Sequence, residues 1–268
     1  MGQMTDDVTR FAPSPTGYLH SGHAASALFA ARHGCYFLLR IEDIDATRCR
    51  PEFEAAIYED LHWLGLTWEQ PVRRQSDHMP YYARVLEGLR ARGLLYACTC
   101  TRADIARAGG APQGDYGPIY PGTCRHKPFE DHGQPYALRL DMEEALRQVS
   151  TPLTWFDRIQ GWQVARPEEF GDVVLARKDT PASYHLCVTL DDALQGVTLV
   201  TRGQDLFAAA HIHRLLQALL ELPVPEYQHH PLLLDSTGKR LAKRDNAKPL
   251  RELRAEGVKA ADLIEQFG

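Results

Sequence analysis

Residues Arg10–His23 read RFAPSPTGYLHSGH. Leading into and through its start, Val8, Phe11 and Ala12 make a short apolar, strand-like run. Two prolines and a glycine break that run, and His20 and His23 follow with Gly22 between them. From Ala24 to Arg32 the chain is mostly alanine with Leu28 and Phe29, which favours helix. The predicted order is strand, tight loop, helix N-terminus. A helix start collects unpaired N–H groups and the positive end of the dipole, so it suits an anionic phosphate. Gly17 and Gly22 let a ligand reach the backbone. His20 and His23, three residues apart, share one face of the first turn, where both can donate to phosphate oxygens. Stripped of function, the same stretch is a proline-rich loop before a surface helix with two solvated histidines.

Outward from this stretch, Gly34 is placed to end the helix, and Tyr36–Ile41 is a near-continuous apolar run. Such a run reads as a buried parallel strand. Glu42, Asp43 and Asp45 stand at its C-terminal end, where open α/β sheets bind ligands. Pro51 suits a first helical position, and Phe53, Ile57, Leu61 and Leu64 recur at helical spacing. Asp77 is a candidate N-cap, with Tyr81, Val85, Leu86 and Leu89 marking a further helix up to Gly93. Strand, helix, strand, helix implies a parallel sheet.

Cys98 and Cys100, then Cys124, bracket a loop rich in Gly, Pro and Asp. Three thiols around a segment with little core of its own suggest a structural zinc site, which needs a fourth ligand. By chemistry His126 fits that place; Tyr120 is the less usual donor. Further strands are read at Tyr136–Leu140, Trp155–Gly161 and Phe170–Asp179. The first of these shows partial alternation, and the second is assigned with the insert. Val197–Leu206 is a strand that brings Arg202 to its end beside Gly203, with Asp205 placed to cap the next helix. Gly238–Arg244 (GKRLAKR) is a glycine turn with four cations, suited to a triphosphate.

The bulk composition limits the field. A chain of 268 residues, 44% hydrophobic and 24% charged, holds one large domain or one domain with an insert. The net charge of −5 gives no global basic field, so any RNA contact is local. No apolar run reaches membrane-span length and the N-terminus lacks an apolar signal core, so no membrane role is expected. Six cysteines with a Cys-x-Cys pair make a poor disulfide framework, and a reducing cytoplasm fits.

Arg10–His23 resembles the "HIGH" signature of class I aminoacyl-tRNA synthetases in its glutamyl form, with His20-Ser21-Gly22-His23 in the HIGH place. The runs Arg40–Asp45 and Arg202-Gly203-Gln204-Asp205-Leu206 resemble the same enzymes. Lys243 stands where the second lysine of the family's KMSKS loop does, and Ala242 replaces its serine. The resemblance implies a class I Rossmann-like nucleotide-binding α/β fold with a parallel sheet, split by a zinc-bearing α+β insert. Its first half would take residues 1–95, the insert 96–167, and the second half 168–268 with the KMSKS-like loop and C-terminal helices.

The resemblance also implies a site. ATP, with Mg²⁺, would meet His20, Gly22, His23 and Lys243, and His20, His23 and Lys243 would be catalytic. L-Glutamate would meet Arg10, Phe11, Ala12, Pro13, Ser14, Glu42, Tyr184 and Arg202. Two guanidinium forks and one carboxylate match the two carboxylates and one ammonium of glutamate, so Glu42 is expected to take the α-ammonium. Only 24 residues follow Arg244, which leaves no room for an anticodon-binding domain. Truncated relatives of this shape are the glutamyl-queuosine tRNA(Asp) synthetases. They activate glutamate without tRNA and transfer it to queuosine in the tRNA(Asp) anticodon. Their Cys-x-Cys, Tyr-x-x-x-Cys pattern matches Cys98, Cys100, Tyr120 and Cys124 as the zinc ligands. The expected partners are therefore ATP, glutamate and queuosine-bearing tRNA(Asp), for a monomeric cytoplasmic ligase. Two other readings share these residues: a glutamate-adenylating ligase with another acceptor, such as an RNA 3′ end or a small amine, and a catalytically silent binding module.

Overall fold

The computed structural model describes residues 6–108, 113–114, 117–128, 133, 135–150, 152–232 and 248–267. The chain opens with β1 (Val8–Phe11), α1 (Ser21–His33), β2 (Tyr36–Ile41), α2 (Pro51–Trp63) and β3 (Glu69–Arg74). These strands are parallel and ordered β1-β2-β3. Phe37, Leu39 and Ile41 share one core with Ala24 and Ala27 of α1 and Ile57 and Leu61 of α2. On the other face Leu38 packs against a second core and Arg40 is buried on Asp192, so β2 is covered on both faces and reads as an apolar run with little alternation. Gly34 ends α1 in extended backbone. A Cβ there would lie 2.3 Å from Thr9 Oγ1, so the requirement for glycine is close approach to β1.

Next come α3 (Met79–Ala91), β4 (Leu95–Cys98), α4 (Arg102–Arg107), a short hairpin of β5 (Gln113–Gly114) and β6 (Gly117–Pro118), β7 (Ala137–Leu140) and α5 (Met142–Arg147). The hairpin β8 (Thr154–Asp157) and β9 (Gly161–Val164) precedes β10 (Val174–Arg177), α6 (Tyr184–Leu194), β11 (Leu199–Gly203) and α7 (Ala209–Leu219). The described chain ends with β12 (Glu226–His230), α8 (Leu250–Ala255) and α9 (Ala260–Phe267). A 3₁₀ turn at Gln204–Leu206 precedes α7, which starts without a side-chain cap, so Asp205 does not cap that helix.

Strands β11, β12 and β8 run parallel, with β9 antiparallel at the edge. The two parallel groups meet at β1 and β11. There the Thr198 N–H donates to the Val8 carbonyl at 3.0 Å, and the Val8 N–H to Thr198 Oγ1 at 3.0 Å. From β1 the chain passes through α1 to β2 on one side; from β11 it passes through α7 to β12 on the other. Connections that leave in opposite directions open a crevice at the C-terminal strand ends.

A separate antiparallel sheet has the order β10-β7-β4. Strand pairing does not follow a division at residue 167. Tyr227 of β12 is paired with Asp157 of β8, whereas β10 pairs with β7. The chain enters the parallel sheet with β8, then returns for one more strand of the insert. Trp155 fixes the first visit, with its ring centroid 5.0 Å from those of Phe207 and Tyr227. No helix among the described residues is long and apolar enough to cross a membrane.

Candidate active site

The N-terminus of α1 is capped by the histidines themselves. His20 Nδ1 accepts the Gly22 N–H at 3.1 Å, and His23 Nδ1 accepts the His20 N–H at 3.1 Å. An imidazole nitrogen that accepts has no proton, so each neutral ring carries its proton on Nε2. The turn thus carries two ring N–H groups at the positive end of the α1 dipole, a setting that suits an anionic phosphate. Pro249, just before α8, forms an isolated bridge with His20, and the Leu250 N–H donates to the Leu19 carbonyl at 2.8 Å. The turn is therefore held from behind by the C-terminal helices.

Beside it, at the ends of β1 and β11, lies a cavity of about 400 Å³. Arg10, Phe11, Ala12, His20, Gly22 and His23 line one part of it. Glu42, Tyr184, Thr201 and Arg202 line another, and His230 and Leu232 are also in its wall. Pro13 and Ser14 are not. Buried Pro13 accepts the Glu42 N–H at 3.0 Å through its carbonyl, and so fixes the backbone of Glu42. Ser14 lines a neighbouring cavity of about 520 Å³, between the β1 and β2 loops and the insert, and Glu42 and Tyr184 separate the two spaces. Lys243 and Ala242 lie outside the described residues. The residues that flank that span, Leu232 and Lys248–Pro249, stand at the cavity wall and beside His20.

The charges are arranged in two ways. All three nitrogens of Arg10 donate within the protein: Nε and Nη2 to Asp192 at 2.9 and 3.3 Å, and Nη1 to the Thr201 carbonyl at 3.1 Å. Arg40, fully buried, donates to Asp192 at 2.8 Å and to Glu42 at 3.2 Å. Burial opposes the charge of Arg40, yet Asp192, Glu42 and Asp191 together hold its proton more tightly than usual. Burial pushes Glu42 up, against the pull of Arg40 and Arg10. Burial also pushes Asp192 up, but Arg10 and Arg40 outweigh it and keep this carboxyl below its ordinary value. Arg202 is different. Its Nε donates to His229 Nε2 at 3.0 Å and its Nη1 to His213 Nδ1 at 3.2 Å. Its Nη2 is buried and has no hydrogen-bond partner among the described residues. An orphaned, buried cationic donor on a residue that lines a cavity calls for an anion. Burial holds the Tyr184 hydroxyl in its neutral, donating form.

The expected balance of two forks and one carboxylate is thus a larger set, because Arg10 is already matched by Asp192. Asp192, His213 and His229 had no local motif to flag them, and Arg40 stood only as the first residue of a family-like run, with no role assigned. The available signal was a charge or imidazole inside an apolar run: Arg40 in YFLLRI, and Asp191-Asp192 after LCVTL. Such a residue is buried and must be paired.

In the insert, the Sγ atoms of Cys98, Cys100 and Cys124 lie within 4.8 Å of one another. The Tyr120 hydroxyl is 3.5 Å from Cys100 Sγ and accepts the Cys124 N–H at 2.9 Å. Sulfurs on a tetrahedral zinc stand about 3.8 Å apart, so the three thiols fit one ion with little movement. Exposed His126 is not part of this convergent group.

A family model described as tRNA synthetases class I (E and Q), catalytic domain, matches residues 7–267. A Rhodobacter capsulatus protein named glutamyl-Q tRNA(Asp) synthetase is 53% identical over 277 residues, covering 97% of this chain and 99% of that protein. A protein of the same name from Nitratidesulfovibrio vulgaris is 41% identical over 274 residues, covering 95% and 83%. Among solved structures, a glutamate tRNA ligase from Elizabethkingia meningosepticum in complex with its amino acid superposes with a TM-score of 0.72 at 28% identity. That match covers 90% of this chain and 52% of the ligase, about half its length. The parallel sheet described above is the Rossmann-like sheet of that catalytic domain.

Proposed function

From a chain that belongs to the class I (E and Q) synthetases, in their glutamyl-Q tRNA(Asp) branch, and is therefore a ligase, we propose a two-step reaction on glutamate. It activates L-glutamate with ATP in the absence of tRNA, then passes the glutamyl group to queuosine in the anticodon of tRNA(Asp). The observation that carries this reading is one cavity that gathers Arg10, Glu42, Tyr184 and Arg202 against the His20–His23 turn.

In the first step a glutamate α-carboxylate oxygen attacks the α-phosphorus of ATP, and the bond to pyrophosphate breaks. The Nε2–H groups of His20 and His23 and the start of α1 face the charge that grows on the phosphate oxygens. Their contribution is positioning and preorganised electrostatics. Lys243 adds a positive charge on the pyrophosphate side, with Mg²⁺ carried by ATP. Glu42 takes the ammonium, and Arg202 takes a carboxylate through its unpartnered Nη2. In the second step a hydroxyl of the cyclopentenediol attacks the acyl carbon and AMP leaves. The neighbouring cavity, which shares Glu42 and Tyr184 with the first, gives the acceptor a route to the adenylate. Cys98, Cys100 and Cys124 with the Tyr120 hydroxyl hold a zinc ion that ties down the insert.

Pyrophosphate exchange with each amino acid, without tRNA, tests the first step: glutamate alone is expected to support it. Labelling of tRNA(Asp) from queuosine-replete and queuosine-deficient cells tests the second. Equal labelling of the two would falsify the queuosine assignment and point to another acceptor. Absence of exchange with any amino acid would leave a silent binding module, a reading that Ala242 in the KMSKS-like loop permits and that His20, His23 and Lys243 argue against.

A further inference from the structure

Arg202 is the one cavity-lining arginine with a nitrogen left unpartnered among the described residues, and its other two nitrogens meet imidazoles. A guanidinium can only donate. His229 Nε2 and His213 Nδ1 must therefore both be acceptors, which makes both rings neutral and fixes their tautomers. His229 keeps its proton on Nδ1 and gives it to Asp157 Oδ2 at 2.6 Å. Asp157 is in turn fully buried, its Oδ1 accepting the N–H groups of Ile159 and Gln160 at 2.8 and 2.9 Å. His213 keeps its proton on Nε2, 3.1 Å from His185 Nδ1.

The contrast with Arg10 gives this relay its meaning. Asp192 orients Arg10 and also cancels its charge. Two imidazole lone pairs orient Arg202 and cancel nothing. The result is a buried fork, fixed in direction, whose positive charge and free edge are kept for a ligand. We propose that His213 and His229 are positioning residues that hold Arg202 for a substrate carboxylate. The proposal rests on the reading that this cavity takes glutamate. A carboxamide of the same shape offers no charge to such a fork, so the relay also serves discrimination against glutamine.

The two contacts use different ring nitrogens, and that makes the claim testable by length. Asparagine places its amide oxygen near an imidazole Nδ1, and glutamine near Nε2. In glutamate-dependent pyrophosphate exchange, His213→Leu and His229→Leu are expected to raise the KM for glutamate about 10- to 100-fold, the range in which outer partners tune a binding group. The KM for ATP should stay within about twofold, since only glutamate binding is touched. His213→Asn and His229→Gln should restore most of the loss, and His213→Gln and His229→Asn should not. Leucine variants with the wild-type KM for glutamate, or rescue that ignores amide length, would overturn the proposal. If the leucine variants do not fold, or the wild type shows no exchange, nitrogen NMR of the wild-type imidazoles still decides. His229 as the Nδ1–H tautomer and His213 as the Nε2–H tautomer support the relay; the reverse tautomers or an imidazolium at either position overturn it. Loss of exchange in the wild type alone, with these tautomers in place, counts against the glutamate reading and not against the relay.

Discussion

Asp192 takes the Nε–H of Arg10 and an Nη1–H of Arg40, at 2.9 and 2.8 Å, with little water near. Asp192→Asn keeps the shape and removes the charge that two guanidiniums share. Breaking a buried ion pair on one side costs about 3–5 kcal/mol, so a clear fall in the urea midpoint is expected. A variant with the wild-type midpoint would show that Glu42 alone suffices for both arginines. At this scale the sequence was uneven. Glu42 and Arg202 could be read because each sits at a strand end, beside an acidic turn or a glycine, whereas Arg10 was reached through the family resemblance and the charge balance of glutamate. Asp192 could not, because its partners lie 182 and 152 positions away and nothing local records them. His213 was hidden in the same way, as one more buried position on the inner side of α7.

Among the elements, α1 joins stability to chemistry through its cap. His20→Asn retains a good capping side chain, so the melting temperature should move little, whereas loss of a cap costs about 1 kcal/mol. The variant lacks the outward ring N–H, and removing one such donor is expected to slow pyrophosphate exchange about 100-fold or more. Equal loss of stability and rate would mean that His20 only caps. In the insert, Tyr120→Phe should lower the zinc retained after dialysis against a chelator, measured by elemental analysis, and His126→Ala should leave it unchanged. The opposite result would restore His126 as the fourth ligand. The elements with one buried face and clear punctuation, such as α2 after Pro51, were legible. α6 was not, because Leu186 to Asp192 are buried without a break and the helical period disappears. The strand β8 was read as part of the insert, since chain order alone does not show that a strand leaves one sheet for another.

Taken whole, the molecule keeps three imidazoles in its interior next to a cation. Burial and Arg202 depress His185 to about 4, and they lower His213 and His229 as well. The sign follows directly. Below about pH 6.5 the unfolded chain protonates these rings and the native one does not, so stability drops as pH falls. Each ring adds up to about 1.4 kcal/mol per pH unit over its window, and Asp192, held low, extends the loss at still lower pH. Glu42 and Asp60, both raised by burial, Asp60 to about 6, act in the opposite sense but are two groups against these four. Urea midpoints measured from pH 8 to pH 4 should fall steadily; a flat profile would mean that the rings are protonated in the native state. The same long reach has a consequence for synthesis. Arg10 leaves the ribosome early, while Asp192 and the Thr201 carbonyl are 182 and 191 positions behind it. At cellular elongation speeds the gap is roughly 10–40 s. Throughout that interval β1 has an open edge and an arginine with no counterion, a nascent surface that a chaperone would find before β11 arrives.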